Sequence, residues 1–205
     1  DLADRFAAFI DSELTAFLES KYRLDKNETA VFGHSFGALF GLYSLLSHRR
    51  FRRHWLVSPS IWWHNRRILD FMPSENRLDG IDVCLNIGAL ERGSDCKRRE
   101  ERDMAGQAEH MAAELDRRGA AVFFREYPNA DHGNVPFHSL TDCVEYLRKA
   151  WQSRESGVGI KGLSQGWKPR RPKKAVIAAL MRRLAGTCHI DKKIEDDGSS
   201  RDKPA

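Results

Sequence analysis

The sequence predicts an α/β fold: a three-layer sandwich in which a mostly parallel sheet lies between helices. Three observations carry that prediction. Short apolar runs alternate with helix-length amphipathic runs over residues 1–152, the order that builds strand–helix–strand units. The first apolar run ends in Gly33-His34-Ser35-Phe36-Gly37, and an apolar helical run follows directly. In that strand–turn–helix context, Gly-x-Ser-x-Gly marks a strained turn that pushes a serine hydroxyl out of the chain. The residues with reactive side chains fall just beyond the predicted strands, where ligands bind in open parallel sheets.

Residues 2–22 predict a helix, because Leu2, Phe6, Phe9, Ile10, Leu14, Phe17 and Leu18 recur at intervals of three and four. A polar turn over 25–28 leads to a short buried strand at 29–32. The turn at Ser35 follows, with Gly33 and Gly37 expected where strand and helix leave no room for a Cβ. A helix runs from 36 to about 47, and Gly41 one turn in lets it approach the sheet. Residues 55–57 predict the next strand and 61–64 a loop or short helix. A third strand covers 81–87 and carries Gly88-Ala89-Leu90-Glu91 from its end. A long charged helix is predicted over 98–118, with Met104, Met111, Ala112 and Leu115 inward and Gly119 as its C-cap. A fourth strand spans 121–127, a turn-rich loop 128–136, and a last helix 137–151.

The 205 residues are 41% apolar and 31% charged, enough for one globular domain and some excess. The excess is the segment 153–205, which carries 13 Lys/Arg against 6 Asp/Glu. Residues 1–152 carry 21 against 23, so the basic balance belongs to the tail and gives no reason to expect nucleic-acid binding by the domain. Glycines, prolines and the run Lys168-Pro-Arg-Arg-Pro-Lys-Lys174 predict a largely disordered basic tail with a possible short helix at 175–184. Such a tail is either a solvated extension or a contact for an anionic surface. No apolar run is long enough to span a membrane and none opens the chain as a secretory segment. A cytoplasmic location is expected, or a periplasmic one if a leader precedes Asp1. Oligomeric state is not encoded legibly. Cys84, Cys96, Cys143 and Cys188 form no CxxC pair or zinc spacing, and Cys84 and Cys143 read as small buried hydrophobes. No metal and no organic cofactor is expected.

An alcohol is a poor nucleophile at neutral pH and needs a base, which in turn needs a partner to fix its tautomer. Ser35, Glu91 and His132 stand in the order nucleophile, acid, base. His132 lies in the loop beyond the fourth strand. The other seven histidines (His34, His48, His54, His64, His110, His138 and His189) read as surface or packing residues. For the acid, Glu91 is favoured over Asp95 and Asp131. The Phe36 backbone N–H, at the start of a helix, is the expected oxyanion donor. No loop ahead of the first strand offers a second donor.

Five segments occur together in one order: Tyr22-Arg-Leu-Asp25, Val31-Phe-Gly-His-Ser-Phe-Gly-Ala-Leu-Phe40, Ser58-Pro-Ser-Ile-Trp-Trp63, Asn86-Ile-Gly-Ala-Leu-Glu91 and Asp131-His-Gly-Asn134. Over residues 1–150 this resembles the esterase family of α/β-hydrolases, in the branch that holds the salmochelin, enterobactin and bacillibactin trilactone esterases. The resemblance implies a serine esterase with Ser35 as nucleophile and His132 as base. It also implies Glu91 as acid, less firmly, because some members of the branch work with a Ser–His dyad. It places Trp62 and Trp63 near the pocket mouth as substrate-binding residues; packing beneath a loop is the competing role. Ala38 departs from the second glycine usual after the family's serine turn. The resemblance further implies an α/β-hydrolase sandwich lacking the N-terminal strands that open the family's fold. The expected partner is a small-molecule ester, siderophore lactones first, with general acyl esters or thioesters close behind. Any iron arrives inside the substrate. A truncated, non-catalytic remnant is the alternative.

Overall fold

Four parallel strands in the order β1-β2-β3-β4 form the sheet. They are β1 (Ala30–His34), β2 (Arg53–Val57), β3 (Asp82–Gly88) and β4 (Ala121–Tyr127). The computed structural model describes residues 2–73, 78–92 and 97–155. Pairing is in register along the strands: Gly33 lies beside Leu56, Leu56 beside Leu85, and Leu85 beside Phe124. Strands β2 and β3 are buried almost throughout, as strands covered on both faces must be.

Side-chain alternation divides the core in two. Leu56, Val83 and Leu85 point to one face, against Leu42 and Leu45 of α3 (Phe36–Ser47) and Met111 and Leu115 of α6 (Met104–Arg117). Trp55, Val57 and Cys84 point to the other, against Val135, Cys143 and Tyr146 of α7 (Val135–Glu155). Gly41 meets Leu56 where α3 crosses the sheet, so close that a Cβ there would lie 2.4 Å from Leu56 Cδ2. Burial pushes the Cys84 thiol far up and the Cys143 thiol up to about 12, so both are inert packing groups.

The structure departs from the sequence reading at four places. The opening helix is two, α1 (Leu2–Phe9) and α2 (Thr15–Lys21), joined by a π-helical turn at Ile10–Leu14. There the Thr15 hydroxyl donates to the Ile10 carbonyl, a side-chain bond that competes with the regular ladder. Of its apolar face, Leu2, Phe6, Phe9 and Phe17 are exposed and only Ala7 is buried. Periodicity identifies an apolar face but not what covers it. The charged helix breaks at Asp103, a left-handed residue at φ 38° whose carboxylate accepts from the Gly106 N–H and caps α6; α5 (Lys97–Arg102) stands apart. Segment α4 (Trp63–Arg66) contains His64 and Asn65 in left-handed conformation, followed by Arg66 at φ 62°. Finally, α7 starts at Val135, taking Pro136 into its first turn, where the missing N–H costs nothing. The expected tail lies outside the described residues from 156 onward, as do Asp95, Cys96 and Cys188. Among the described residues no helix is long and apolar enough to cross a membrane.

One core residue is costly. His54 on β2 is 1% exposed, and neither ring nitrogen has a hydrogen-bond partner among the described residues. Burial pulls its pKa down to about 4. The folded state therefore holds neutral His54 while the unfolded chain takes up a proton below about 6.5. Stability from this group is intact above that pH and falls as pH drops toward 4, by up to about 3 kcal/mol. His54→Leu is expected to stabilise the fold by about 1–3 kcal/mol at pH 7 and to flatten the loss between pH 6.5 and 4. Denaturant unfolding across that range measures both effects; a variant with the same acid sensitivity as the parent would refute the assignment.

Candidate active site

Ser35 occupies the turn between β1 and α3 with φ 57° and ψ −114°, a conformation an L-residue adopts only under constraint. The constraint is the crossing of strand and helix. A Cβ on Gly33 would lie 2.3 Å from the Gly37 carbonyl oxygen. Gly37 itself has open space at its Cβ position, contrary to the expectation that both flanking glycines are forced. Its side of the first helical turn faces an adjoining groove rather than the strand.

The end of β3 carries the carboxylate. Gly88 lets the loop after β4 close in: a Cβ there would lie 2.3 Å from the Ala130 carbonyl oxygen, and Leu90 N–H donates to that same oxygen at 2.9 Å. The short 3₁₀ turn Ala89–Glu91 then points Glu91 at the loop. Glu91 Oε1 accepts from the Gly88 N–H at 2.9 Å and the Ser58 hydroxyl at 2.6 Å. Oε2 lies 2.7 Å from His132 Nδ1, and His132 Nε2 lies 3.1 Å from Ser35 Oγ. The Glu91 side chain is 5% exposed and that of His132 43%, so the carboxylate is buried and fixed while the imidazole reaches the open cavity.

The other proposed acids stand differently. Asp131 Oδ1 accepts from the Gly133 and Asn134 N–H groups at 2.8 and 2.9 Å and builds the turn that carries His132. Asp95 lies outside the described residues. Phe36 is the first residue of α3, so its N–H is among the donors a helix leaves free, beside Ser35. Trp62 lines the cavity with Ser35 and His132. Trp63 turns away into a neighbouring apolar groove walled by α1 and α3, its ring edge-on to both Trp62 and Phe36.

Several residues at the site escaped the sequence reading. Ser60 Oγ lies 3.2 Å from Ser35 Oγ, and its N–H donates to the Ser35 carbonyl. Ser58 orients Glu91. Both come from Ser58-Pro59-Ser60, which leaves β2 beside the end of β1; position at a strand end next to the serine turn was the signal available. The His34 ring packs on His132 with centroids 4.6 Å apart. Burial, then the neighbouring His132, holds His34 below the ordinary imidazole range. The cavity above Ser35 has a volume of about 680 Å³, and its walls include Leu90, Arg102 and Met104.

A serine on a strained strand–helix turn, with a carboxylate and an imidazole supplied by the ends of later parallel strands, defines the α/β-hydrolase class of fold. Comparison with solved structures agrees: the chain superposes on siderophore hydrolase EstA from Aspergillus nidulans with a TM-score of 0.62 at 31% identity, covering 72% of this chain and 56% of that one. The chain belongs to the Putative esterase family, whose model matches residues 1–142. It is 31% identical over 169 residues to the siderophore enterobactin esterase of Emericella nidulans, covering 71% of this chain and 56% of the relative. It is likewise 31% identical over 139 residues to the ferri-bacillibactin esterase BesA of Bacillus subtilis, covering 65% and 47%. The chain thus spans about half the length of these relatives.

Proposed function

We propose that this chain is a serine carboxylic-ester hydrolase working through an acyl-enzyme, with Ser35 as nucleophile, His132 as general base and Glu91 as the acid that orients it. The observation that carries the reading is the unbroken line from Glu91 Oε2 through the imidazole to Ser35 Oγ, at 2.7 and 3.1 Å.

Each step follows from that line. Glu91 holds the proton on His132 Nδ1, leaving the Nε2 lone pair toward the serine. As Ser35 Oγ bonds to the ester carbonyl carbon, Nε2 takes the hydroxyl proton. The carbonyl oxygen becomes an oxyanion and accepts from the Phe36 N–H at the helix start. Collapse of the tetrahedral intermediate breaks the bond to the alcohol, which takes the proton from Nε2. Water then repeats the sequence on the acyl-enzyme, with His132 again as base, and releases the acid and Ser35.

Siderophore lactones are the first substrates to try, on the strength of the enterobactin and bacillibactin esterases to which the chain is similar. Simple acyl esters and thioesters use the same chemistry. The test is hydrolysis of enterobactin and of aryl esters by the purified chain and its Ser35→Ala variant, followed by chromatography. Turnover that falls at least about 1,000-fold in the variant is expected. Turnover that persists in the variant would remove the assignment.

A further inference from the structure

Resting on the esterase reading above, we propose that Arg102 and Trp62 form an anion-recognising wall of the reactive cavity and select esters whose acyl chain bears a carboxylate or similar planar anion. Both residues line the cavity that holds Ser35 and His132. Arg102, half-buried at the end of α5, places its guanidinium carbon 4.1 Å from the centroid of the Trp62 ring. That cation–π contact covers one side of the guanidinium and strips water from it. Its edge N–H groups remain able to meet a carboxylate two at a time.

The charges around Arg102 favour that role. Among the described residues no carboxylate lies within ion-pair distance of it. Other arginines of the same domain are matched: Arg92 with Glu109 and Glu126, Arg125 with Asp142. Among the described residues two carboxylates line the cavity, and both are engaged. Glu91 is held by His132, Ser58 and Gly88, and Asp131 by the N–H groups of its own turn. The indole N–H of Trp62 is buried and has no acceptor among the described residues, a second donor in the same wall. Beside them the cavity presents apolar Phe36, Leu90 and Met104. A neutral aliphatic ester fits such a surface but leaves the guanidinium unmatched; a substrate with a remote negative charge satisfies both.

The experiment uses mono-4-nitrophenyl esters of adipic, pimelic, suberic and sebacic acid, each compared with the same ester whose far carboxyl is a primary carboxamide. For at least one chain length, kcat/KM is expected to be about tenfold or more higher for the carboxylate than for the carboxamide. Arg102→Gln is expected to bring that ratio close to one. Arg102→Lys, which keeps charge but not the planar fork, is expected to fall between. A ratio near one in the parent protein, or a ratio that survives Arg102→Gln, overturns the proposal. Calorimetric binding of the uncleaved esters to Ser35→Ala protein gives a readout independent of turnover. There the carboxylate series should bind about tenfold tighter, and the added Arg102→Gln change should erase the difference; equal affinities also overturn the proposal. Charge-selective binding without Ser35-dependent turnover would instead defeat the hydrolase reading and leave the anion wall standing.

Discussion

Replacing Glu91 by glutamine is expected to lower kcat/KM for ester hydrolysis by about 1,000-fold or more, with little change in the unfolding midpoint. Glutamine keeps the shape but offers an amide where the carboxylate oxygen met His132 Nδ1 at 2.7 Å. If the amide N–H₂ faces Nδ1, the imidazole must hold its proton on Nε2 and loses the lone pair that Ser35 needs. If the amide oxygen faces it instead, the N–H₂ is driven toward the Ser58 hydroxyl and the Gly88 N–H, both donors to Glu91 as the parent stands. Either orientation loses the negative charge that stabilises the imidazolium formed in the transition state. Steady-state kinetics with an aryl ester measure the effect. A loss below tenfold would mean that Ser35 and His132 work as a dyad and that Glu91 only packs beneath the loop.

Gly33→Ala is expected to cost about 3 kcal/mol or more and to take hydrolytic activity with it. The added methyl would sit 2.3 Å from the Gly37 carbonyl oxygen and 2.8 Å from the Ala38 nitrogen. Both are backbone atoms at the start of α3, so the relief available is a shift of the helix and of Ser35 with it. Gly37→Ala, four residues on, meets no atom within 4 Å. It replaces a glycine in a helix and should stabilise by about 0.5–1 kcal/mol. Two alanine changes in one motif therefore act in opposite directions, which denaturant titrations read directly. Equal destabilisation by both would contradict the strand–helix crossing described here.

Much of the fold was legible because its signals are local. The turn at Ser35 announces itself by glycine spacing between an apolar strand and an apolar helix, and the four strands stand out as apolar runs bounded by polar turns. The interior breaks were not legible in the same way. Asp103 reads as one more charged residue in a helical stretch until its carboxylate is seen capping Gly106. The π turn at Ile10–Leu14 leaves the three-and-four periodicity of residues 2–22 intact. The site divides along similar lines. Ser35, Glu91 and His132 became candidates by their order along the chain, each after a strand, and the structure brings their side chains within hydrogen-bond distance. Ser58 and Ser60 offered only the weaker signal of a strand end, because their contacts come from β1 and β2 lying side by side, a pairing that sequence order suggests but does not align. Trp62 and Trp63 were indistinguishable as a dipeptide; backbone direction at the start of α4 sends one to the reactive cavity and the other to the apolar groove. Gly88 matters through a contact with Ala130, 42 residues away in sequence.

The proposed hydrolysis requires Ser35 to be an activated nucleophile in this chain. Its most direct test is labelling of the purified protein with a fluorophosphonate probe, followed by mass spectrometry of the modified peptide. One phosphonylated residue, Ser35, is expected, with labelling lost in Ser35→Ala and strongly slowed in His132→Ala. A folded sample that stays unlabelled, or carries the label on another serine, would contradict it.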